Sequence, residues 1–234
     1  MRISVVPFEL DMQDAAGRLR GHDERPSGMH LSDVVRDFAA RTIFKGDARR
    51  KRVKFAQLTD AERRRMANYV ELGFAWEWIF ERAFEERQLR RVAAAMAKAK
   101  ARAKTKAKAS SSLDRNVVLK KDGLWMSPDA VDEAAWELWE FKLTWKTARR
   151  LDKPSDIASD PAFAEWLMQI KGYLHGLRMT VCNLIVFFVN GDYREPRVPK
   201  PAHLRLVFDK GELVENWTKI QNHKRTMERE ARAA

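Results

Sequence analysis

Residues 135–146 read AWELWEFKLTWK, a segment dense in tryptophan, leucine and phenylalanine. Apolar residues recur at alternate positions, as in a β-strand, whose side chains point in turn to its two faces. Glu140 and Lys142 are therefore predicted to lie side by side on one face of the strand. An acid and an amine within such an apolar strand cost free energy unless they pair with each other or bind a metal ion.

The residues before this strand predict a β-hairpin. Asp122-Gly123 favours a tight two-residue turn and separates predicted strands at residues 116–120 and 124–131. The second of these strands contains Ser127-Pro128-Asp129. The hairpin is therefore expected to bring a second carboxylate beside the strand that carries the acid and the amine.

Two acids and a lysine that converge in this way suit the hydrolysis of a phosphodiester. Carboxylates hold Mg²⁺ or Mn²⁺, and such a metal lowers the pKa of a bound water and stabilises charge on the phosphate. Asp129 and Glu140 are the candidate ligands, and the backbone carbonyl of Phe141 is a further one. Lys142 is the candidate for positioning the water. The alternative is an ordinary ion pair between glutamate and lysine on an edge strand.

A long helical pattern precedes the hairpin. Residues 61–95 contain no proline, and Glu77 is the one charged residue on an apolar face of the predicted helix. A carboxylate in such a stripe has to take up a proton or find a cation. A metal shared with the two acids described above would satisfy Glu77, and the alternative is an arginine elsewhere in the fold.

The C-terminal half predicts alternating helices and strands. A helix begins at Asp160-Pro161 and runs to residue 179, and it is followed by an almost continuously apolar strand at residues 181–189. A strand near residues 204–208 and a last helix from about residue 212 complete the chain.

Two polar residues on the first of these helices are candidate site residues. Gln169 and Tyr173 are four residues apart, so they lie together beside the apolar stripe of the helix. Both side chains offer hydrogen bonds. The alternative is that they form part of an ordinary helix surface.

The charge of the chain predicts a polyanionic partner. The net charge is +12, but eight basic residues between Arg90 and Lys108 lie in a stretch without an acid, and without them the net charge is +4. Residues 93–112 are rich in alanine, lysine and arginine and predict a low-complexity insertion or linker. This basic run is expected to contact DNA phosphates, and the alternative is a merely soluble linker.

Several classes of protein are excluded by residues that the chain lacks. The single cysteine, Cys182, rules out an intrachain disulfide, a cysteine-rich zinc site and a four-cysteine iron–sulfur cluster. The five histidines show no metal-ligand spacing, and no phosphate-binding loop or serine-hydrolase elbow occurs. No apolar run is long enough to span a membrane. We therefore expect a cytoplasmic protein without a membrane partner.

Four features occur in one order, and their joint occurrence is more specific than any one of them. They are Gly73-x-x-x-Glu77 on a helix, Ser127-Pro128-Asp129 after a hairpin, Glu140-Phe141-Lys142 on a strand and Gln169-x-x-x-Tyr173 on the next helix. Together they resemble the RecB-like and lambda-exonuclease-like branch of the PD-(D/E)XK nuclease superfamily. The chain is similar to small phage-encoded exonucleases of this branch that lack an iron–sulfur cluster, and the resemblance covers residues 66–189.

The resemblance implies a fold and a set of site residues. The fold is α/β, with a restriction-endonuclease-like core whose central mixed β-sheet is flanked by helices. Independently of the resemblance, the chain length predicts one domain over residues 1–234, and several prolines and glycines predict an N-terminal loop region at residues 1–30. The resemblance makes Glu77, Asp129 and Glu140 metal ligands and Lys142 the water-positioning residue. It makes Gln169 and Tyr173 a supporting motif near the DNA strand.

The function implied is that of a Mg²⁺- or Mn²⁺-dependent deoxyribonuclease acting in DNA recombination, replication or processing. An exonuclease is the favoured form. The alternatives are a structure-specific endonuclease or resolvase, and a catalytically inactive DNA-binding protein on the same fold. Beside DNA, the partners considered are a single-strand annealing or recombination protein and further copies of the chain. A phage-encoded protein would act in the host cytoplasm.

Overall fold

The computed structural model describes residues 1–6, 27–43, 113–114, 117–151, 157–158, 160–193 and 199–233. Two sequence predictions fall outside these residues: the long helix of residues 61–95, which carries Glu77, and the basic stretch of residues 93–112. Among the described helices, none is long and apolar enough to cross a lipid bilayer.

The described chain combines helices with strands. The strands are β1 (Arg2–Val6), β2 (Leu113–Asp114), β3 (Leu119–Lys121), β4 (Leu124–Met126), β5 (Ala130–Asp132), β6 (Glu137–Thr144), β7 (Val181–Phe188) and β8 (Lys200–Val207). The helices are α1 (Leu31–Phe38), which continues into a π-helical turn at Ala39–Ile43, α2 (Pro161–Leu177) and α3 (Lys210–Ala233). A short 3-10 helix spans Ala148–Leu151.

Six of these strands form one mixed sheet in the order β1-β8-β7-β6-β5-β2. Only β6 and β7 run parallel, and the other neighbouring pairs are antiparallel. Parallel strands need a crossover connection, which here contains α2, so α2 runs back along the sheet in the direction opposite to β6. The α/β class and the mixed sheet flanked by helices, as predicted, are confirmed.

The main core lies between one face of this sheet and the three helices. Leu138 of β6 and Leu184 of β7 are fully buried there, together with apolar residues of all three helices. The next residues along the same strands, Trp139 and Ile185, belong to a smaller apolar cluster on the opposite face. This alternation confirms the predicted two-residue period of β6, and it means that Glu140 faces the helices.

The predicted hairpin is confirmed, with one correction. Asp122 and Gly123 both have positive φ angles, +48° and +78°, as a type I′ turn between β3 and β4 requires. The strand predicted at residues 124–131 is two strands, β4 and β5, separated by residues 127–129. The proline within this interruption has no N–H to donate, and the chain resumes as β5, which pairs with β6.

The N-terminal loop region predicted at residues 1–30 is wrong for its first residues. Arg2–Val6 forms β1 and pairs with β8 along its whole length. The segment is too short to give a local signal, and its partner lies about two hundred positions away in the chain, which no local pattern predicts. Element ends also differ: β6 begins after Trp136, which lies in the preceding turn with a positive φ of 57°.

Candidate active site

The site begins where the pairing between β5 and β6 ends. The pairing of these strands ends at Ala130 and Trp139. Asp129 lies directly before Ala130, the first residue of β5. The backbone N–H of Phe141 donates to Oδ2 of Asp129 at 2.7 Å. The N–H of Asp129 donates to Oε1 of Glu140 at 3.4 Å. The Asp129 carboxylate therefore replaces the missing strand as an acceptor, and its position is fixed against β6.

Glu140 and Lys142 are paired on the helix-covered face of β6, as the sequence predicts. Lys142 Nζ donates to Oε2 of Glu140 at 2.7 Å. The Glu140 side chain is 1% exposed and the Lys142 side chain 17% exposed. The ion pair between glutamate and lysine, which the sequence offered as an alternative, is thus present in the structure. It lies on the central strand β6 and not on an edge strand, and Asp129 lies beside it. The group contains two acids and one base.

The surroundings of Glu140 shift its pKa. Burial, together with the negative charge of Asp129, raises the pKa of Glu140 to about 8, although Lys142 acts in the opposite direction. Burial lowers the pKa of Lys142, but the charges of Glu140 and Asp129 outweigh this effect and raise that pKa above its usual value. The lysine therefore remains an ammonium, and the acids retain an attraction for further positive charge.

Helix α2 places Tyr173 and Gln169 opposite this group. Gln169 Nε2 donates to the Tyr173 hydroxyl at 2.8 Å, and Tyr173 is buried. Burial raises the pKa of the Tyr173 phenol, and the nearby charge of Glu140 raises it further. The phenol is therefore close to the acids and the lysine. The alternative in which both residues belong to an ordinary helix surface is wrong for Tyr173.

The remaining predicted ligands are not placed at the site. Glu77 lies outside the described residues. Within the part of the chain that the structure describes, no three histidine, cysteine, aspartate or glutamate side chains are grouped closely enough to hold a metal ion. The N–H of Phe141 donates to Asp129. That the carbonyl of Phe141 binds a metal stays a prediction. The described portion of the site thus supplies two carboxylates, Asp129 and Glu140.

These two carboxylates fit a hard divalent cation. Oxygen donors are what Mg²⁺ and Mn²⁺ prefer, and Mg²⁺ is commonly held by one or two carboxylates while it keeps several waters. The two carboxylates face one ammonium, and burial is the largest cause of the raised pKa of Glu140. A divalent cation between Asp129 and Glu140 would supply the missing positive charge.

A second polar group on β6 was not predicted from the sequence. Glu137 accepts hydrogen bonds from Arg205 Nη2 at 2.7 Å and from Asn183 Nδ2 at 2.6 Å. Asn183 Oδ1 and His203 Nε2 are 2.9 Å apart. These four residues lie on the sheet face away from the helices, and we call them the β6–β8 network. The lone asparagine within the apolar strand β7 was the available signal.

Comparison with known proteins adds no relative. No protein-family model, curated protein or solved structure matches the chain. The geometry and charge of Asp129, Glu140, Lys142 and Tyr173 are therefore the basis for a functional assignment.

Proposed function

We propose that the protein is a metal-dependent DNA nuclease, and that it acts as an exonuclease. The observation that carries the proposal is the convergence of Asp129, Glu140 and Lys142 at the end of the β5–β6 pairing. The antiparallel pairing of β5 with β6 brings Asp129 to Glu140, and Lys142 follows two residues later on the same face of β6. The order of motifs that resembles the PD-(D/E)XK nucleases supports the same function.

Each side chain has a defined task in this proposal. Asp129 and Glu140 hold a divalent cation, which when bound supplies positive charge to the phosphate and activates water. Lys142 positions the attacking water and remains charged throughout, because the neighbouring acids stabilise its ammonium form. Glu77 completes the set of acids if its helix approaches the sheet as the resemblance implies.

The backbone contributes to orientation. The short hydrogen bond from the Phe141 N–H fixes one oxygen of Asp129, so the other oxygen is directed by a rigid strand. Tyr173 accepts the hydrogen bond from Gln169 and is buried within reach of the charges of Glu140 and Lys142. Such preorganisation reduces the rearrangement needed when charge develops on the phosphate.

The test is digestion of end-labelled linear DNA with Mg²⁺ and with EDTA. Wild type should release nucleotides only with the metal, and Asp129→Asn should lower the rate about a hundredfold or more, because a contribution of several kcal/mol is lost. Glu133→Gln is the matched control, since Glu133 is an exposed acid in the turn between β5 and β6. Equal rates for Asp129→Asn and wild type would refute the site.

The same digestion separates exonuclease from endonuclease activity. A closed circular DNA has no end, so an exonuclease leaves it intact while it degrades the linear form. Cleavage of both forms would assign the site to a structure-specific endonuclease or resolvase. Binding without cleavage of either form would favour the inactive DNA-binding alternative.

A further inference from the structure

A lysine and a tryptophan lie together beyond the end of β6. Lys146 Nζ is 5.3 Å from the centroid of the Trp166 ring, and both residues are half-buried. Trp166 and buried Phe163 form a T-shaped contact with a centroid distance of 5.3 Å. The N–H of Lys146 donates to Thr144 Oγ1 at 3.2 Å. The ring is thus supported by the core, and the lysine backbone is fixed to the strand end.

This pair is aligned with the candidate active site. Glu140, Lys142 and Thr144 share one face of β6, and Lys146 lies two residues beyond Thr144, the last residue of that strand. Trp166 precedes Tyr173 by seven residues, or two turns of α2, about 10 Å along the helix. Because α2 and β6 run in opposite directions, the two rows of residues leave the site on the same side.

Gln169 lies between the two ends of this row. It is three residues from Trp166, and its hydrogen bond to Tyr173 directs it along the same side of α2. Polar or aromatic groups therefore continue from the acids to the Lys146–Trp166 pair.

The charge along this row is positive. Residues 142–150 contain four basic residues and no acid. Of these, Arg150 is paired with Asp160, whereas Arg149 is exposed beyond Lys146. A polyanion leaving the acids in this direction would meet Lys146 first, and a phosphate is the anion that the neighbouring chemistry requires.

The contact between Lys146 and Trp166 is of a kind that a nucleotide can replace. A cation over an aromatic ring at a partly exposed position is a weak interaction, whereas a base stacked on the same ring is bound more strongly. The ammonium can turn from the ring to a phosphate while the base takes its place. The ring then gains a larger stacking contact than the one it exchanges.

We propose that Lys146 and Trp166 form a nucleotide subsite for the single strand of DNA that extends from the scissile phosphate. Trp166 stacks on a base, and Lys146 contacts the adjoining phosphate. The subsite rests on the proposed nuclease function. It adds a place, a few nucleotides from the acids, at which the enzyme holds its substrate.

Two measurements test the subsite separately from catalysis. The first is the binding of a fluorescein-labelled octadeoxynucleotide to the full chain in EDTA, over a series of salt concentrations. Trp166→Leu should weaken binding about tenfold and leave the salt dependence unchanged, because stacking releases no counterions. Lys146→Ala should lower the slope of log affinity against log salt by about 0.7, the value for one contact to a single strand.

Matched controls are available elsewhere on the chain. Trp136 is 55% exposed at the opposite end of β6, and Lys219 is exposed on α3. Trp136→Leu and Lys219→Ala should bind the octanucleotide as wild type does, with the same salt slope. Because the Lys146 side chain is not part of the apolar core, Lys146→Ala keeps the test valid even if Trp166→Leu fails to fold.

The second measurement compares cleavage of a dinucleotide with cleavage of the octanucleotide in Mg²⁺. Both subsite variants should raise KM for the octanucleotide about tenfold and leave dinucleotide cleavage unchanged. Octanucleotide binding and KM equal to those of wild type would overturn the subsite, and so would an equal loss of kcat on both substrates. If wild type binds through these residues and cleaves neither substrate, the nuclease proposal fails while the subsite stands.

Discussion

Strand β6 carries a polar group on each of its faces, and the two groups differ in how well their charges are balanced. On the helix-covered face, two acids share one lysine, and the pKa of Glu140 is raised to about 8. In the β6–β8 network on the other face, the single acid Glu137 accepts hydrogen bonds from Arg205 and Asn183. In our proposal the first group receives a cation, whereas the second group joins the three strands β6, β7 and β8.

Exposure separates the two groups as well. The Glu140 side chain is 1% exposed, whereas Glu137 and Arg205 are 20% and 40% exposed. Water can compensate a defect in the β6–β8 network, but it reaches the Glu140 group poorly. Equivalent substitutions on the two faces should therefore have very different effects.

The largest difference should be in activity. Glu140→Gln removes a carboxylate from the cation site and should lower the rate of DNA cleavage about a hundredfold or more. Glu137→Gln, three residues away on the other face, should stay within about threefold of wild type, as a substitution that spares transition-state contacts does. Initial rates on linear DNA at saturating Mg²⁺ measure both. Similar losses for the two variants would remove the distinction between the faces.

The next difference should be in stability. Lys142→Met leaves Glu140 buried without its ammonium, and breaking a buried pair in this way costs about 3 kcal/mol or more. Arg205→Met breaks a partly exposed pair, which contributes about 0–1 kcal/mol. Denaturant unfolding in EDTA at pH 8 gives both values. A smaller loss for Lys142→Met than for Arg205→Met would contradict the assignment of the buried pair.

The pH dependence of stability should reveal the buried acid Glu140 on the helix-covered face. Because the pKa of Glu140 is raised from 4.5 to about 8 on folding, the group stabilises the fold fully below pH 4.5 and loses this contribution as the pH rises through about 8. In EDTA, the melting temperature of wild type should therefore fall over this range relative to Glu140→Gln. A curve for Glu140→Gln that runs parallel to that of wild type would be the contrary result.

The smallest effect concerns the support from α2. Tyr173→Phe removes the hydroxyl that accepts the Gln169 hydrogen bond and should lower stability by about 1 kcal/mol. Cleavage should fall by less than tenfold, since the acids and Lys142 remain in place. Thermal unfolding and initial rates on the same preparation check both. A loss as large as that of Glu140→Gln would make Tyr173 a direct participant in the chemistry.

The candidate site was predictable from the sequence because its geometry is local. The two-residue period of β6 puts Glu140 beside Lys142, and the antiparallel pairing of β5 with β6 across the turn at residues 133–136 brings Asp129 to the same point. Both rules act over a few residues. The burial of Tyr173 was less predictable, because it depends on how α2 rotates over the sheet.

The features that could not be predicted from the sequence depend on the pairing of strands that are far apart in the chain. β1 is defined by its register with β8, and the β6–β8 network needs Glu137, Asn183 and Arg205 to be aligned across three strands. No periodicity within one segment specifies such a register. The lone polar residue in β7 marked the position of the network but not its partners.

The binding of Mn²⁺ to the full chain tests directly whether Asp129 and Glu140 hold a cation. Isothermal titration calorimetry in the absence of DNA measures this binding. Wild type and Glu137→Gln should bind the metal equally, whereas Asp129→Asn and Glu140→Gln should each weaken its binding at least about tenfold. Equal Mn²⁺ affinity in all four proteins would contradict the claim that the acids at the end of the β5–β6 pairing hold the catalytic cation.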